Sequence, residues 1–79
     1  MVTREDLVPW VVDGLKANGH KVHFIEVAKH LWAHHRRELE GSGDFFFKWQ
    51  YEMRWAGDQL VKAQRLIKHG HTGIWELVK

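Results

Sequence analysis

The side chains of this sequence that are best suited to recognising another molecule lie on one predicted helix, residues 46–63. Apolar residues recur there at alternating steps of four and three, which makes one stripe on a 3.6-residue helix: Trp49, Met53, Ala56, Leu60 and Ala63. The other side of the helix presents polar residues: Lys48, Gln50, Tyr51, Arg54 and Lys62. Arginine and glutamine can each make paired hydrogen bonds to a base edge, and lysine can bind a phosphate. We therefore predict that this face can bind nucleic acid.

An ordinary solvent-exposed helix would show much of the same pattern. On such a helix Tyr51 and Trp55 would form an i,i+4 pair. Asp58 and Lys62 would form an ion pair with the same spacing. Glu52 and Asp58 also oppose tight docking against phosphate, because their charges repel it. The sequence leaves both interpretations open.

A second group of candidate contact residues follows at a glycine-flanked tip. The tip lies between two short apolar runs with β-branched and aromatic residues, which predicts a β-hairpin over residues 65–78. Lys68, His69 and His71 could bind phosphate there, more strongly when the histidines are protonated. An ordinary hairpin loop is the alternative. Trp75, in the second strand, is predicted to belong to the core.

Seven histidines require that a metal site be considered. His30 and His34 are four residues apart on one predicted helix. His69 and His71 are two residues apart at the hairpin tip. No carboxylate or thiolate completes a recognisable ligand spacing, so we expect no metal site and no cofactor. The chain has one serine, Ser42, and no glycine-rich phosphate loop, so we expect no enzymatic activity.

Two further helices are predicted ahead of this region. The first spans residues 7–18, with Asp6 as its N-cap and Gly19 able to end it in the left-handed conformation. The second spans residues 24–40. The short segment between them is a weak candidate for a single strand that pairs with the hairpin. We expect one domain over residues 1–79.

The run Phe45-Phe46-Phe47 contains more apolar surface than one helical stripe can bury. If Phe46 is directed inward, the next ring points outward. Phe47 would then lie beside Tyr51 and Trp55 in an exposed aromatic patch. Such a patch usually marks a contact site. The alternative is that the preceding linker or the second helix covers these rings.

Composition and charge limit the broad class of the protein. The net charge is only +2, with six Lys/Arg against four Asp/Glu in residues 41–79 and equal numbers in residues 1–40. This weak excess permits phosphate binding without requiring it. The chain begins with a charged segment and contains no apolar run near the ~20 residues that span a bilayer. We therefore expect a soluble cytoplasmic protein with no membrane partner.

Three segments of the C-terminal half carry a family resemblance: Arg54-Trp55-Ala56, Leu60–Leu66 and Gly73–Leu77. They resemble winged helix-turn-helix domains, in particular the N-terminal DNA-reading domain of Mrr-type restriction endonucleases and its stand-alone relatives. The resemblance implies an α+β fold, a three-helix winged helix-turn-helix with a C-terminal β-hairpin wing. Many such domains end the third helix with glycine, where this chain has Gln64-Arg65. The family's nuclease activity lies in a separate domain, so the resemblance implies a DNA-binding module without chemistry of its own.

Two hypotheses for function follow from these observations. The first is a small DNA-binding protein, such as a transcription regulator, whose third helix reads the major groove and whose wing contacts the backbone of double-stranded DNA. The second is a protein–protein interaction module that uses the aromatic residues Phe47, Tyr51 and Trp55. A palindromic DNA site would imply a homodimer.

Overall fold

Three α-helices and a three-stranded antiparallel sheet account for most of residues 2–78, the part of the chain that the computed structural model describes. In chain order the elements are α1 (Leu7–Ala17), β1 (Lys21–His23), α2 (Phe24–Glu40), α3 (Trp49–Lys62), β2 (Leu66–Lys68) and β3 (Ile74–Leu77). Two 3-10 turns complete the chain path: Gly43–Phe47 and Gly70–Thr72. The α+β class expected from the sequence is confirmed, and the layout is compatible with a winged helix. No helix within residues 2–78 is long and apolar enough to cross a lipid bilayer.

The two ends of α1 are formed in different ways. Asp6 is the N-cap residue, as the sequence predicted, but its side chain makes no capping hydrogen bond. Instead its Oδ2 accepts a hydrogen bond from the Thr3 amide at 3.0 Å. The backbone of Asp6 is already helical, because Thr3–Asp6 forms a turn that leads straight into α1. At the other end Gly19 has φ +81°, the left-handed conformation predicted for the residue that ends the helix.

The sheet has the strand order β1-β3-β2, so the hairpin strand β3 lies in the middle. Trp75 stands opposite Val22 on one side and Lys68 on the other. Along β3, Trp75 and Leu77 are both buried, as strand alternation predicts. The short segment before α2 therefore does form a strand, and it ties the hairpin to the front of α2.

Glycine at position 57 lets β3 pack directly against α3. A Cβ atom at Gly57 would lie only 2.8 Å from the six-membered ring of Trp75. The indole, 3% exposed, therefore fills the space that a side chain would occupy on the helix. The same helix buries its apolar stripe against α1 and α2 with Trp49, Met53 and Leu60. Contacts from both sides fix the rotation of α3 about its own axis.

α3 begins at Trp49, three residues later than the sequence pattern indicated. The intervening residues form a 3-10 turn in which the Lys48 amide donates to the Phe45 carbonyl at 2.9 Å. Phe45 packs against the core, and Phe46 packs on Trp32 with ring centroids 6.1 Å apart. A single α-helical stripe could not place two successive rings at these two sites. The tighter 3-10 turn allows both rings to pack.

The turn that ends α3 contains a residue in the left-handed conformation, and this residue is not glycine. Gln64 has φ +62°, and the next amide, from Arg65, donates to the Leu60 carbonyl at 2.8 Å. A non-glycine residue in this conformation costs roughly 1–2 kcal/mol. The turn into β2 thus uses glutamine in a conformation that glycine adopts without this cost.

The hairpin tip is attached to the start of α2 through Gly73. The Gly73 carbonyl accepts a hydrogen bond from the Phe24 amide at 3.0 Å. A Cβ atom at Gly73, where φ is +77°, would lie 2.4 Å from Nε2 of His23. The other ring nitrogen of His23 accepts a hydrogen bond from the Ile25 amide at 3.1 Å, so the histidine caps α2 while it packs under the tip.

Replacement of Gly73 by alanine is expected to destabilise the protein much more than replacement of Gly70. Both glycines have positive φ, so each alanine costs about 1–2 kcal/mol in backbone strain. Only Gly73 also meets the His23 ring, whereas a Cβ at Gly70 has no atom within 4 Å among residues 2–78. The clash adds about 1–3 kcal/mol. Equal losses of unfolding free energy in urea would show that the tip does not pack on His23.

Candidate nucleic-acid interface

Arg54 leaves the exposed side of α3 and rests on an aromatic surface. Its guanidinium carbon lies 4.9 Å from the ring centroid of Phe24. The Phe24 ring in turn packs against that of Trp75 with centroids 5.8 Å apart, and we call this pair of rings from α2 and β3 the aromatic platform. Cation–π contact favours this placement and limits the rotamers of the long side chain. The guanidinium is thus held in place while its edge stays accessible to solvent.

Lys68 approaches the same platform from the hairpin. Its Nζ atom lies 4.9 Å from the Trp75 ring centroid and 2.6 Å from Oδ1 of Asp58. The ion pair between Asp58 and Lys62, which an ordinary solvent-exposed helix would show, does not form; the partner of Asp58 comes from β2 instead. The reason is that Trp75 holds the lysine stem beside α3, at the level of Asp58. This pairing reduces the positive charge that Lys68 presents to solvent.

The hairpin tip is ordered by its own hydrogen bonds. The Thr72 hydroxyl donates to the His69 carbonyl at 2.7 Å and accepts from the Ile74 amide at 3.1 Å. Nε2 of His69 lies 2.8 Å from a carboxylate oxygen of Glu76. His69, predicted as a phosphate contact, is therefore held in a pair within the hairpin. His71 is exposed at the tip.

The structure brings together three of the eight residues that the sequence singled out as DNA contacts. Arg54, Lys68 and His71 line one shallow groove between α3 and the hairpin, of about 240 Å³, with Trp75 in its wall. The other five are distributed elsewhere. Four lie exposed along α3 or at its start, and the fifth is paired within the hairpin: Lys48, Gln50, Tyr51, Lys62 and His69. Sequence reasoning missed Phe24, whose ring supports Arg54; its apolar character had indicated only core.

The aromatic patch expected on α3 is smaller than predicted. Phe47 and Tyr51 are 83% and 79% exposed. Trp55 is half-buried, because the Arg4 guanidinium lies 4.2 Å from its ring centroid and reaches Glu52 at 3.9 Å. A cation from the N-terminal segment thus covers the tryptophan. The linker leaves Phe47 uncovered.

A separate apolar groove lies between α2 and the start of α3. It has a volume of about 520 Å³ and is lined mainly by apolar side chains: Ile25, Ala28, Trp32, Phe46 and Trp49. The Trp32 and Trp49 rings stack with centroids 6.2 Å apart. This groove was not predicted from the sequence, where its only signal was the surplus of apolar surface around Phe46.

The histidines of α2 pack against one another and against α1. The His30 and His34 ring centroids are 4.1 Å apart, and the His35 ring stacks on Trp10 at 3.6 Å. Burial lowers the pKa of His30 below its ordinary value, and His34 lowers it further, while Asp13 acts in the opposite direction. Within residues 2–78 no group of three or more histidine or carboxylate side chains could hold a metal ion.

Comparison with known proteins found no relative: no family model, no curated protein and no solved structure gives a significant match to this chain. Inference about function therefore depends on the topology and on the side chains described above.

The free energy of unfolding is expected to fall as the pH drops below about 6.5, the ordinary pKa of histidine. Between that pH and the lowered pKa of folded His30, the unfolded chain binds a proton that the folded chain excludes. Above about 6.5 the residue is neutral in both states and contributes no pH dependence. Urea unfolding near pH ~7.5 and ~5.5 measures the difference, which His30→Gln should reduce.

His71→Gln is the matched control, because His71 lies exposed at the hairpin tip. It should keep the pH dependence of the wild-type protein. If His30→Gln loses as much stability on acidification as the wild type, burial of His30 is not the source of that loss.

Proposed function

We propose that this chain is a winged helix-turn-helix domain that binds double-stranded DNA and serves as a small transcription regulator. In this proposal the exposed side of α3 enters the major groove, and the β2–β3 hairpin, the wing, contacts the sugar–phosphate backbone. The order helix, strand, helix, helix, strand, strand supports it, as does the sheet order β1-β3-β2. The resemblance of the C-terminal half to the DNA-reading domain of Mrr-type endonucleases supports the same assignment.

The observation that carries the proposal is the placement of Arg54. It extends from the exposed side of α3 into a groove that also receives Lys68 and His71 from the wing. An arginine from a helix thus meets a lysine and a histidine from a hairpin on one surface, as contact with both a base edge and an adjacent phosphate requires. The Phe24 ring under Arg54 restricts its rotamers before binding, which lowers the entropy lost when it meets DNA.

The remaining lysines of α3 extend this surface along the helix. Lys48 and Lys62 stand at opposite ends of α3, about 21 Å apart at ~1.5 Å per residue. Both side chains are exposed, so each can reach a phosphate near its own end of the helix. Asp58 weakens the field of this face, which fits the modest net charge of the chain. Moderate affinity is expected.

A second candidate function is protein–protein interaction. The specific observation in its favour is that Phe47 and Tyr51 remain almost fully exposed next to the apolar groove of Trp32 and Phe46. A partner helix or a second copy of the chain could cover these rings. Trp55 would contribute less than the sequence suggested, since Arg4 already covers it.

DNA binding can be tested by titrating labelled duplex into the protein at several salt concentrations. The logarithm of the affinity is expected to fall linearly with the logarithm of salt, by about 0.9 for each phosphate contact. Arg54→Ala with Lys48→Ala should weaken binding by roughly tenfold or more, because a base contact is worth about 1–3 kcal/mol and one phosphate contact is lost as well. The salt slope should become shallower by about one. Asp58→Asn should strengthen binding, because it removes a negative charge from this face.

The matched control replaces Lys16 and Arg37, exposed cations in the last turns of α1 and α2, by alanine. This variant loses the same net charge but leaves the α3 face intact, so it should bind nearly as the wild type does. Thermal unfolding of both double variants verifies that they are folded. Equal weakening by the two double variants would mean that binding is a property of net charge and not of α3.

A further inference from the structure

Phe47 is the most exposed large apolar side chain among residues 2–78. It belongs to the 3-10 turn that leads into α3, one residue before Lys48 and four before Tyr51. Its neighbour Phe46 packs on Trp32 and meets the Phe47 ring edge-to-face, with centroids 5.2 Å apart. The backbone under Phe47 is therefore fixed, and the ring is presented to solvent from a rigid base.

The surroundings of Phe47 indicate what kind of molecule covers it. Lys48 is adjacent, and Gln50 and Arg54 lie exposed within the first two turns of α3. An apolar ring framed by cations and an amide is complementary to a polyanion that also presents a small apolar group. In duplex DNA the major groove offers one such group, the 5-methyl group of thymine.

We infer that Phe47, assisted by Tyr51, contacts thymine methyl groups and so gives this domain a preference for A·T pairs at the N-terminal end of α3. The inference rests on the proposed DNA-binding function. Gln50 lies three residues beyond Phe47, where an amide can bond the adenine of the same pair or of a neighbouring one. Arg54 lies four residues beyond Gln50 in α3, about 6 Å along its axis or about two base-pair steps, where it can bond a guanine.

The test compares two duplexes that differ only in these methyl groups. One contains thymine, and the other contains uracil at every thymine position, which keeps base pairing and phosphate charge but removes the methyl groups. At fixed low salt the wild-type protein is expected to bind the thymine duplex about fourfold more tightly for each methyl group that Phe47 and Tyr51 bury. Phe47→Ala should reduce this ratio by about fourfold with no change in the salt slope, and Phe47→Leu should restore part of it.

Ile25→Ala is the control, because Ile25 is an exposed apolar residue on α2, outside the proposed DNA-binding surface. It should keep the wild-type ratio between the two duplexes. Equal affinity of the wild type for both duplexes, with a normal salt slope, overturns the thymine contact and leaves the DNA-binding proposal intact. Absence of salt-dependent binding to either duplex overturns both. If Phe47→Ala weakens binding to both duplexes by the same factor, the ring does not act through the methyl group.

Discussion

The packing of Trp75 against Gly57 is the contact on which the arrangement of this molecule depends. The indole lies in the central strand of the sheet and occupies the place of a missing side chain on α3. It also contacts Phe24, at the start of α2, and the ammonium group of Lys68. One buried ring thus joins two helices and the hairpin. A smaller residue at position 75 would separate the platform under Arg54 from the helix that carries that arginine.

On the surface formed by α3 and the hairpin, some contacts that order the basic side chains also neutralise their charge. Arg54 rests on an aromatic ring, which restricts it without cancelling its charge. Lys68 and His69 pair with carboxylates, which orders them but also reduces what they offer to an anion. Because such exposed pairs are worth only about 0–1 kcal/mol, a phosphate can compete for the lysine at little cost. In the proposed DNA complex the hairpin is therefore expected to attract phosphate only modestly, and Arg54 is the best-ordered contact.

The sequence predicted those parts of the structure that depend on local spacing. The stripe from Trp49 to Leu60 gave the buried side of α3, and the alternation of Trp75 with Leu77 gave the inner side of β3. Gly19 was correctly predicted to end α1, because glycine readily adopts the left-handed conformation that such an end needs. Each of these inferences needed only residues within a few positions of one another.

Contacts between distant parts of the chain were not predictable in the same way. Arg4 covers Trp55 from some fifty positions away in the sequence. Asp58 pairs with Lys68 and not with Lys62. Both cations had nearer or equally suitable partners by sequence. The late start of α3 has a similar cause, since the choice between helix and 3-10 turn depends on where Trp32 lies relative to Phe46. Tertiary packing decides such cases.

The most direct test of the account is a nuclear magnetic resonance titration of the ¹⁵N-labelled protein with duplex DNA at low salt. If α3 and the wing form the DNA-binding surface, the largest amide shifts will lie at Gln50, Arg54 and His71, and residues of α1 will be unaffected. Shifts confined to the groove of Ile25 and Trp32, or spread evenly over exposed lysines, would contradict it.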